Sequence, residues 1–321
     1  MSLNLERAAP VAAGVTMAVI FGLSFSFTKT ALRTFAPLDL LALRFFLAAL
    51  AMAVLAATGL IRLNLSGGRW RGLLPLAAFQ PVAYFLCETA GIRSTPASEA
   101  GMIIGAIPVV VAVMAALFLG ERPNIIQSLF IAAPSLGMIA MVAGSPRNGE
   151  KAHLAGLLFL FGAVLAASLY SVLSRRLSRD FTPVEATAVM MWTGAAVFGS
   201  LALGDHLLSG TGLPLRALAE PSVLGSLAYL GLLSSVAAFF LFNYMFRHLE
   251  AVRTVVYTNL TTVVSVFAGV LFLGERLDLQ QWAGGGLILL GVWGTNRFGA
   301  KNALLPPQGD LSENRPVDGS A

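Results

Sequence analysis

Leu117-Phe118-Leu119-Gly120-Glu121-Arg122 closes one long apolar run and opens another. The same six residues return as Leu271-Phe272-Leu273-Gly274-Glu275-Arg276, 154 positions later in a chain of 321. A hexapeptide repeated at half the chain length points to an internal duplication, the feature that most constrains a fold. A second pair supports it. Phe35-Ala36-Pro37 matches Phe181-Thr182-Pro183 at an offset of 146, and the eight extra residues fit the long connection after Asp205.

The solvent around this duplication is lipid. The chain is 57% hydrophobic and 12% charged, with mean hydropathy +0.79, whereas soluble domains carry about 25% charged residues. A spanning helix needs about 20 mostly apolar residues. Ten segments qualify: Val11–Leu32, Pro37–Gly59, Gly72–Gly91, Ala97–Leu119, Ile125–Ala143, Leu154–Ser174, Pro183–Gly204, Val223–Arg247, Ala251–Leu273 and Gln281–Asn296. None alternates as a barrel strand would. The expected fold is an all-α polytopic membrane protein of ten transmembrane helices in two five-helix repeats, residues 1–148 and 149–298. A polar tail, 299–321, is expected to be disordered. The first apolar run is too long for a signal peptide and reads as a retained span.

Orientation follows from the basic residues. With the N-terminus on one side, that side collects thirteen Lys and Arg in its connections, and the other collects six. The bias places both termini in the cytoplasm. It also accounts for the net charge of +5 without nucleic acid. Because five spans is odd, the second repeat enters the membrane inverted. Inverted repeats are typical of secondary transporters, whose sites lie near the midplane between the halves. The two hexapeptides then sit at opposite mouths of one pathway, as hinges and not as site residues.

The chain resembles the ten-helix drug/metabolite transporter superfamily, and within it the EamA-type exporters. The resemblance rests on Phe21-Gly22-x-Ser24-Phe25, Pro37 with Arg44-Phe45, Leu-x-Gly-Glu closing spans four and nine, and Gly156 to Tyr170 followed by Arg175-Arg176. Such exporters more often carry Trp at the position of Phe21 and Asn at that of Ser24. The resemblance implies a bacterial inner-membrane exporter of an amino acid or related metabolite. A carrier of cationic drugs or vitamins is the alternative within the fold, and a channel-like or non-transporting subunit is the alternative outside it.

Ionisable and polar groups inside spans mark candidate sites. Gln80, Tyr84 and Glu88 recur at i, i+4 and i+8 and form one polar stripe on span three. Glu88 is the candidate for proton coupling. Arg44 enters span two at a similar level, where its planar guanidinium suits either the Glu88 carboxylate or that of a substrate. Lys29 reads either as a vestibule residue beside Arg44, Glu88 and Glu99 or as a side chain snorkelling to the interface. In the second half Tyr170, Asn243, Tyr257, Asn259 and Thr261 complete the expected substrate site. Gly101-x-x-x-Gly105 allows close helix contact, and Pro108 marks a kink.

Several classes are excluded. There is no G-x-x-x-x-G-K-[ST] loop for ATP and no G-x-S-x-G nucleophile elbow. The single cysteine, Cys87, and three dispersed histidines make no metal spacing. The chain is therefore expected to be no enzyme, with no cofactor and no metal. Its expected partners are a small-molecule substrate, the lipid bilayer and protons, and its expected state is a monomer or weak dimer.

Overall fold

The computed structural model describes residues 2–120, 150–210 and 212–274, with scattered positions between 124 and 132 and between 279 and 297. Within these the fold is all-helical. Seven helices are long and apolar enough to cross a membrane: Ala9–Ala31, Pro37–Ala57, Ser66–Ser94, Leu154–Leu177, Pro183–Ser209, Pro221–His248 and Ala251–Leu273. They correspond to spans one, two, three, six, seven, eight and nine of the sequence reading. Spans five and ten, the polar tail, and the Glu-Arg pairs that end both hexapeptides lie largely or wholly outside the described residues.

The helices start where the sequence supplies starts. Span two opens with Pro37 at its first position and Asp39 in its first turn. Span seven opens the same way, with Pro183 and Glu185, behind a Thr182 N-cap. Here Thr182 Oγ1 accepts from the Glu185 amide, and Glu185 Oε2 accepts from the Thr182 amide. Such a reciprocal cap satisfies two otherwise orphaned donors and contributes about 0.5–2 kcal/mol.

These two starts also pin spans two and seven together in antiparallel order. Asp39, at the start of span two, meets His206 near the end of span seven, Oδ1 to Nε2 2.8 Å. Glu185, at the start of span seven, accepts through Oε1 from the amide of Asn64, just beyond the end of span two, at 3.0 Å. Each acid thus ties its own helix start to the far end of the other. Span seven runs on to Ser209, five residues past its expected end, and so carries His206 to Asp39. Gly210, at φ 66°, then stops it.

A second pairing repeats the same logic. Lys29, near the end of span one, donates to the carbonyls of Ile92 and Thr95 at the end of span three, both at 2.7 Å. Arg175, near the end of span six, donates to the carbonyl of Phe246 at the end of span eight, at 2.9 Å. The cations are 146 residues apart and the capped residues Ile92 and Phe246 are 154 apart, the two offsets read from the sequence. A cation on the last carbonyls of a helix satisfies orphaned acceptors and offsets the negative end of the dipole. Lys29 therefore does more than snorkel, because the end of span three brings carbonyls within its reach.

Three spans depart from simple helices. Span three is interrupted at Gln80, whose φ −144° and ψ 114° are extended, inside a π-helical stretch Ala78–Ala83. Pro81 has no N–H for the carbonyl four residues before it, which is the local reason for the break. Span eight carries a longer π-helical stretch, Tyr229–Ala237. Span four is two helices, Ala97–Ile104 and Ile107–Phe118, separated at Gly105–Ala106. The second piece has Pro at its start, so the expected kink is a break. Neither piece alone is long enough to span.

The hexapeptides end their helices alike. Gly120 and Gly274 adopt φ 70° and 69°, the left-handed conformation that favours glycine. The Leu-Phe pairs before them face outward: Leu117 and Phe118 are 73% and 68% exposed, and Leu271 and Phe272 74% and 68%. Such large apolar surface is stable only against lipid or another apolar partner.

Inside, spans four and nine meet at Gly101. Thr262 Oγ1 donates to the Gly101 carbonyl at 2.7 Å, and a Cβ at Gly101 would collide with Ser265 Oγ. Gly101→Val is expected to force these helices apart, at a cost of about 1–3 kcal/mol for overpacking. Thermal unfolding of purified protein in detergent should show the apparent melting temperature falling by several degrees. An unchanged value would contradict the close approach.

Candidate functional site

The interior of the bundle holds a narrow cavity, whose empty space with its opening to solvent comes to about 490 Å³. Both halves of the chain line it. Span one contributes Phe21, Ser24 and Phe25, and span two contributes Arg44. Gln80, Tyr84, Phe85 and Glu88 come from span three, and Ile104 and Ile107 from either side of the break in span four. Spans six, eight and nine supply Ala167 and Ser171, Phe239 and Phe242, and Thr258 and Thr261. Six of the sixteen lining residues are aromatic, with one cation and one carboxylate set among them.

Arg44 is the most constrained of these side chains. It is 2% exposed, and a charged group so placed needs partners. Nε donates to Ser235 Oγ at 2.8 Å and Nη2 to Ser234 Oγ at 2.9 Å. The π-helical turn of span eight supplies both hydroxyls as consecutive residues. The guanidinium carbon lies 4.2 Å from the ring centroid of Phe85, a cation–π contact. These bonds occupy the side-on edge of the fork, Nε with one Nη2 hydrogen. Among the described residues Nη1 has no hydrogen-bond partner, so the end-on edge stays open.

Glu88, 5% exposed, is the counterpart. Tyr84 OH donates to its Oε1 at 2.8 Å. Oε2 has no donor among the described residues. Arg44 and Glu88 both line the cavity, yet they form no ion pair within 4.0 Å. The pairing of Glu88 with Arg44 that the sequence allowed is thus replaced by two separate anchorings. Span eight reaches Arg44 first, and Tyr84 reaches Glu88. Gln80 Oε1 and Thr261 Oγ1, on two of the lining residues, are buried without a partner among the described residues.

The sequence-derived site divides in two. Arg44, Gln80, Tyr84, Glu88 and Thr261 come together on the cavity wall. Tyr170, Asn243, Tyr257 and Asn259 do not line it. Tyr170 OH and Ser174 Oγ both donate to Asn243 Oδ1 at 2.9 Å, and Asn243 Nδ2 donates to Thr187 Oγ1 at 3.2 Å. This network joins spans six, seven and eight behind the cavity. Asn243 instead faces a smaller cleft nearer Phe181 and Pro183. The Tyr257 ring occupies the space left open by Gly14 on span one. Asn259 is fully buried, with neither amide atom bonded among the described residues. Glu99 has no described side chain. Outside the sequence reading lay Ser234 and Ser235, because two serines in an apolar run signal nothing until a cation is seen opposite them.

No group of three or more His, Cys, Asp or Glu side chains fit to hold a metal occurs among the described residues. The chemistry on offer is recognition: one guanidinium edge, one carboxylate oxygen, scattered acceptors and aromatic walls.

Comparison with known proteins places the chain among transporters. Residues 9–143 and 154–297 each match the model of the EamA-like transporter family. An uncharacterized transporter, YcxC, of Bacillus subtilis is 34% identical over 288 residues, covering 88% of this chain and 91% of that one. A probable amino-acid metabolite efflux pump of Escherichia coli is 24% identical over 285 residues, covering 88% and 93%. A solved crystal structure superposes with a TM-score of 0.68 at 18% identity, covering 90% of this chain and 98% of the other, and so shares the fold.

If the two serines hold Arg44, replacing both by alanine leaves a buried cation with unfilled donors. Ser234→Ala/Ser235→Ala is expected to destabilise the protein by about 1–3 kcal/mol. The apparent melting temperature in detergent reads this directly, and a value equal to that of the unsubstituted protein would contradict the anchoring.

Proposed function

The chain belongs to the EamA-like transporter family, and from that premise we propose a secondary transporter that exports a small metabolite, an amino acid or a related compound, by alternating access. The family membership makes it a multi-pass membrane transporter and not an enzyme. The observation that carries the finer reading is the cavity itself. It lies where spans of both matched segments meet, and it holds a cation and a carboxylate that form no ion pair within 4.0 Å.

We place ten helices in the bilayer, as two inverted five-helix repeats, with both termini in the cytoplasm of a bacterial inner membrane. Supporting this are the two family matches in one chain, the antiparallel lock of spans two and seven, and the duplicated cation caps. On this reading Lys29 closes the outer end of span three and Arg175 the inner end of span eight. The two caps then serve as matching latches on the two mouths, and transport requires each to yield in turn. The breaks in spans three and four and the π-helical turn of span eight bring irregular backbone to the cavity, the only depth at which lipid-embedded chains tolerate it.

An amino acid is favoured as cargo by the name of the Escherichia coli relative and by the paired charges in the wall. A cationic drug would meet the aromatic lining well, but it would also meet Arg44, and like charges at such range repel. A proton is the favoured coupling ion, carried by Glu88, whose Oε2 is open to the cavity.

Reconstituted protein should exchange labelled substrate for unlabelled substrate across a liposome membrane in counterflow, whereas a channel would dissipate the gradient without exchange. With an imposed pH gradient the rate should rise when protons run opposite to substrate. Glu88→Gln should abolish that response. A Glu88→Gln protein that still follows the gradient, or a native protein that ignores it, would overturn the proton role.

A further inference from the structure

We propose that an anionic phospholipid binds where the connections 58–73 and 178–182 meet, its phosphate on their exposed arginines and an acyl chain in the adjoining cleft between spans three, six and seven. In the orientation proposed above this end of the bundle faces the cytoplasm. The site is separate from the central cavity and does not depend on the cargo.

The two connections form one surface. Gly67 and Gly68 take φ of 64° and 80°, a left-handed turn that favours glycine. Just beyond it, Arg69 Nη2 donates to the Asp180 carbonyl at 2.8 Å. The same guanidinium lies 5.4 Å from the ring centroid of Phe181, and a Cβ at Gly72 would come within 3.2 Å of that ring. The charge on this surface is one-sided. Arg62, Arg71, Arg176 and Arg179 are exposed, and none has a carboxylate within 4.0 Å among the described residues. The nearby acids do not balance them. Asp180 is a single exposed carboxylate, and the oxygens of Glu185 already accept from the amides of Asn64 and Thr182. Trp70, 41% exposed, and Leu74, 38% exposed, lie beside these cations, with the Arg71 guanidinium 5.8 Å from the Trp70 ring centroid. Exposed tryptophan next to arginine suits the headgroup level of a bilayer, and arginines near span ends attract anionic lipid.

The second cleft shares this surface. Phe181, on which Arg69 stacks, lines it, as do the exposed Thr182 and Leu73, two residues after Arg71. Leu76, Leu177 and Ala186 extend its apolar wall. Its polar side chains are largely spent on the protein. Ser174 Oγ donates to Asn243 Oδ1, and Asn243 Nδ2 donates to Thr187 Oγ1 and Met190 Sδ. Ser178 Oγ donates to the Arg175 carbonyl at 2.8 Å. Thr182 Oγ1 accepts from the Glu185 amide and alone keeps a hydroxyl hydrogen without an acceptor among the described residues. A polar metabolite here would shed water and find few new partners, which is costly. A hydrocarbon chain has no such cost. The cleft thus selects an apolar chain, and the arginines select a phosphate, whose oxygens match guanidinium donors. An anionic phospholipid carries both on one molecule. Bound there, it bridges span three of the first repeat to spans six and seven of the second and stabilises that contact by mass action.

The test compares ligands that share one half of this chemistry. Full-length protein in nonionic detergent receives dioleoyl phosphatidylglycerol, dioleoyl phosphatidylcholine or inorganic phosphate at equal molar excess, and the apparent melting temperature is read. Phosphatidylglycerol should raise it several degrees above phosphatidylcholine, and inorganic phosphate should leave it unchanged. Arg71→Gln/Arg179→Gln should remove the difference between the two lipids. Both side chains hydrogen-bond to nothing among the described residues, so the lipid-free melting temperature should hold; where it falls, the lipid difference within the variant remains the readout. Arg33→Gln/Arg93→Gln makes the same change of charge at the far ends of spans one and three and should keep the difference. Equal effects of the two lipids, or of phosphatidylglycerol and inorganic phosphate, overturn the proposal. So does a difference that survives Arg71→Gln/Arg179→Gln or is lost equally in Arg33→Gln/Arg93→Gln. Because no readout involves transport, this site and the transporter reading fail separately.

Discussion

A guanidinium buried to 2% exposure in an apolar helix bundle is the constraint on which the rest of this structure depends. Removing such a charge from water costs several kcal/mol even after relaxation. Arg44 is retained because span eight turns through a π-helical segment and presents Ser234 and Ser235 to it. The same two bonds join the halves of the chain. They also fix which edge of the cation is spent on the protein and which faces the cavity. Phe85 beneath the guanidinium and the Tyr84–Glu88 bond nearby complete a polar pocket inside an aromatic one.

The frame around this pocket is built in duplicate. Spans two and seven begin with the same Pro-x-acid sequence, and each acid ties its own helix start to the far end of the other span. Spans one and six each end in a cation that caps span three or span eight. These contacts use short-range chemistry at helix ends, where backbone groups lack partners, and leave the bundle centre free for the cavity. Because the same devices recur at the two ends of the bundle, neither end is structurally privileged. The alternating access proposed above would use such a frame.

The sequence carried the frame better than the pocket. Helix positions were legible because apolar runs of spanning length and Pro or Gly punctuation are local signals. The observed bounds of span nine, Ala251–Leu273, coincide with the expected ones. The duplication was legible from two short matches, and their offsets reappear in the paired cation caps. Long-range choices were less legible. The sequence showed that Arg44 needed an acceptor, and Glu88 was the visible acid. Two serines nearly two hundred residues away could not be preferred before the π-helical turn was seen. The same holds for Asn243 and Tyr170, whose partners lie on other spans and satisfy them behind the cavity. Pro108 announced the break in span four, but the unwinding of span eight has no proline to announce it.

The central claim, a cavity open alternately to the two sides of the membrane, is tested most directly by accessibility. Ser171 lines the cavity from span six. In a Cys87→Ala background, Ser171→Cys should react with a membrane-impermeant thiol reagent applied to either face of oriented vesicles, and bound substrate should slow both reactions. Reaction from one face only, under every substrate and gradient condition, would contradict alternating access through this cavity.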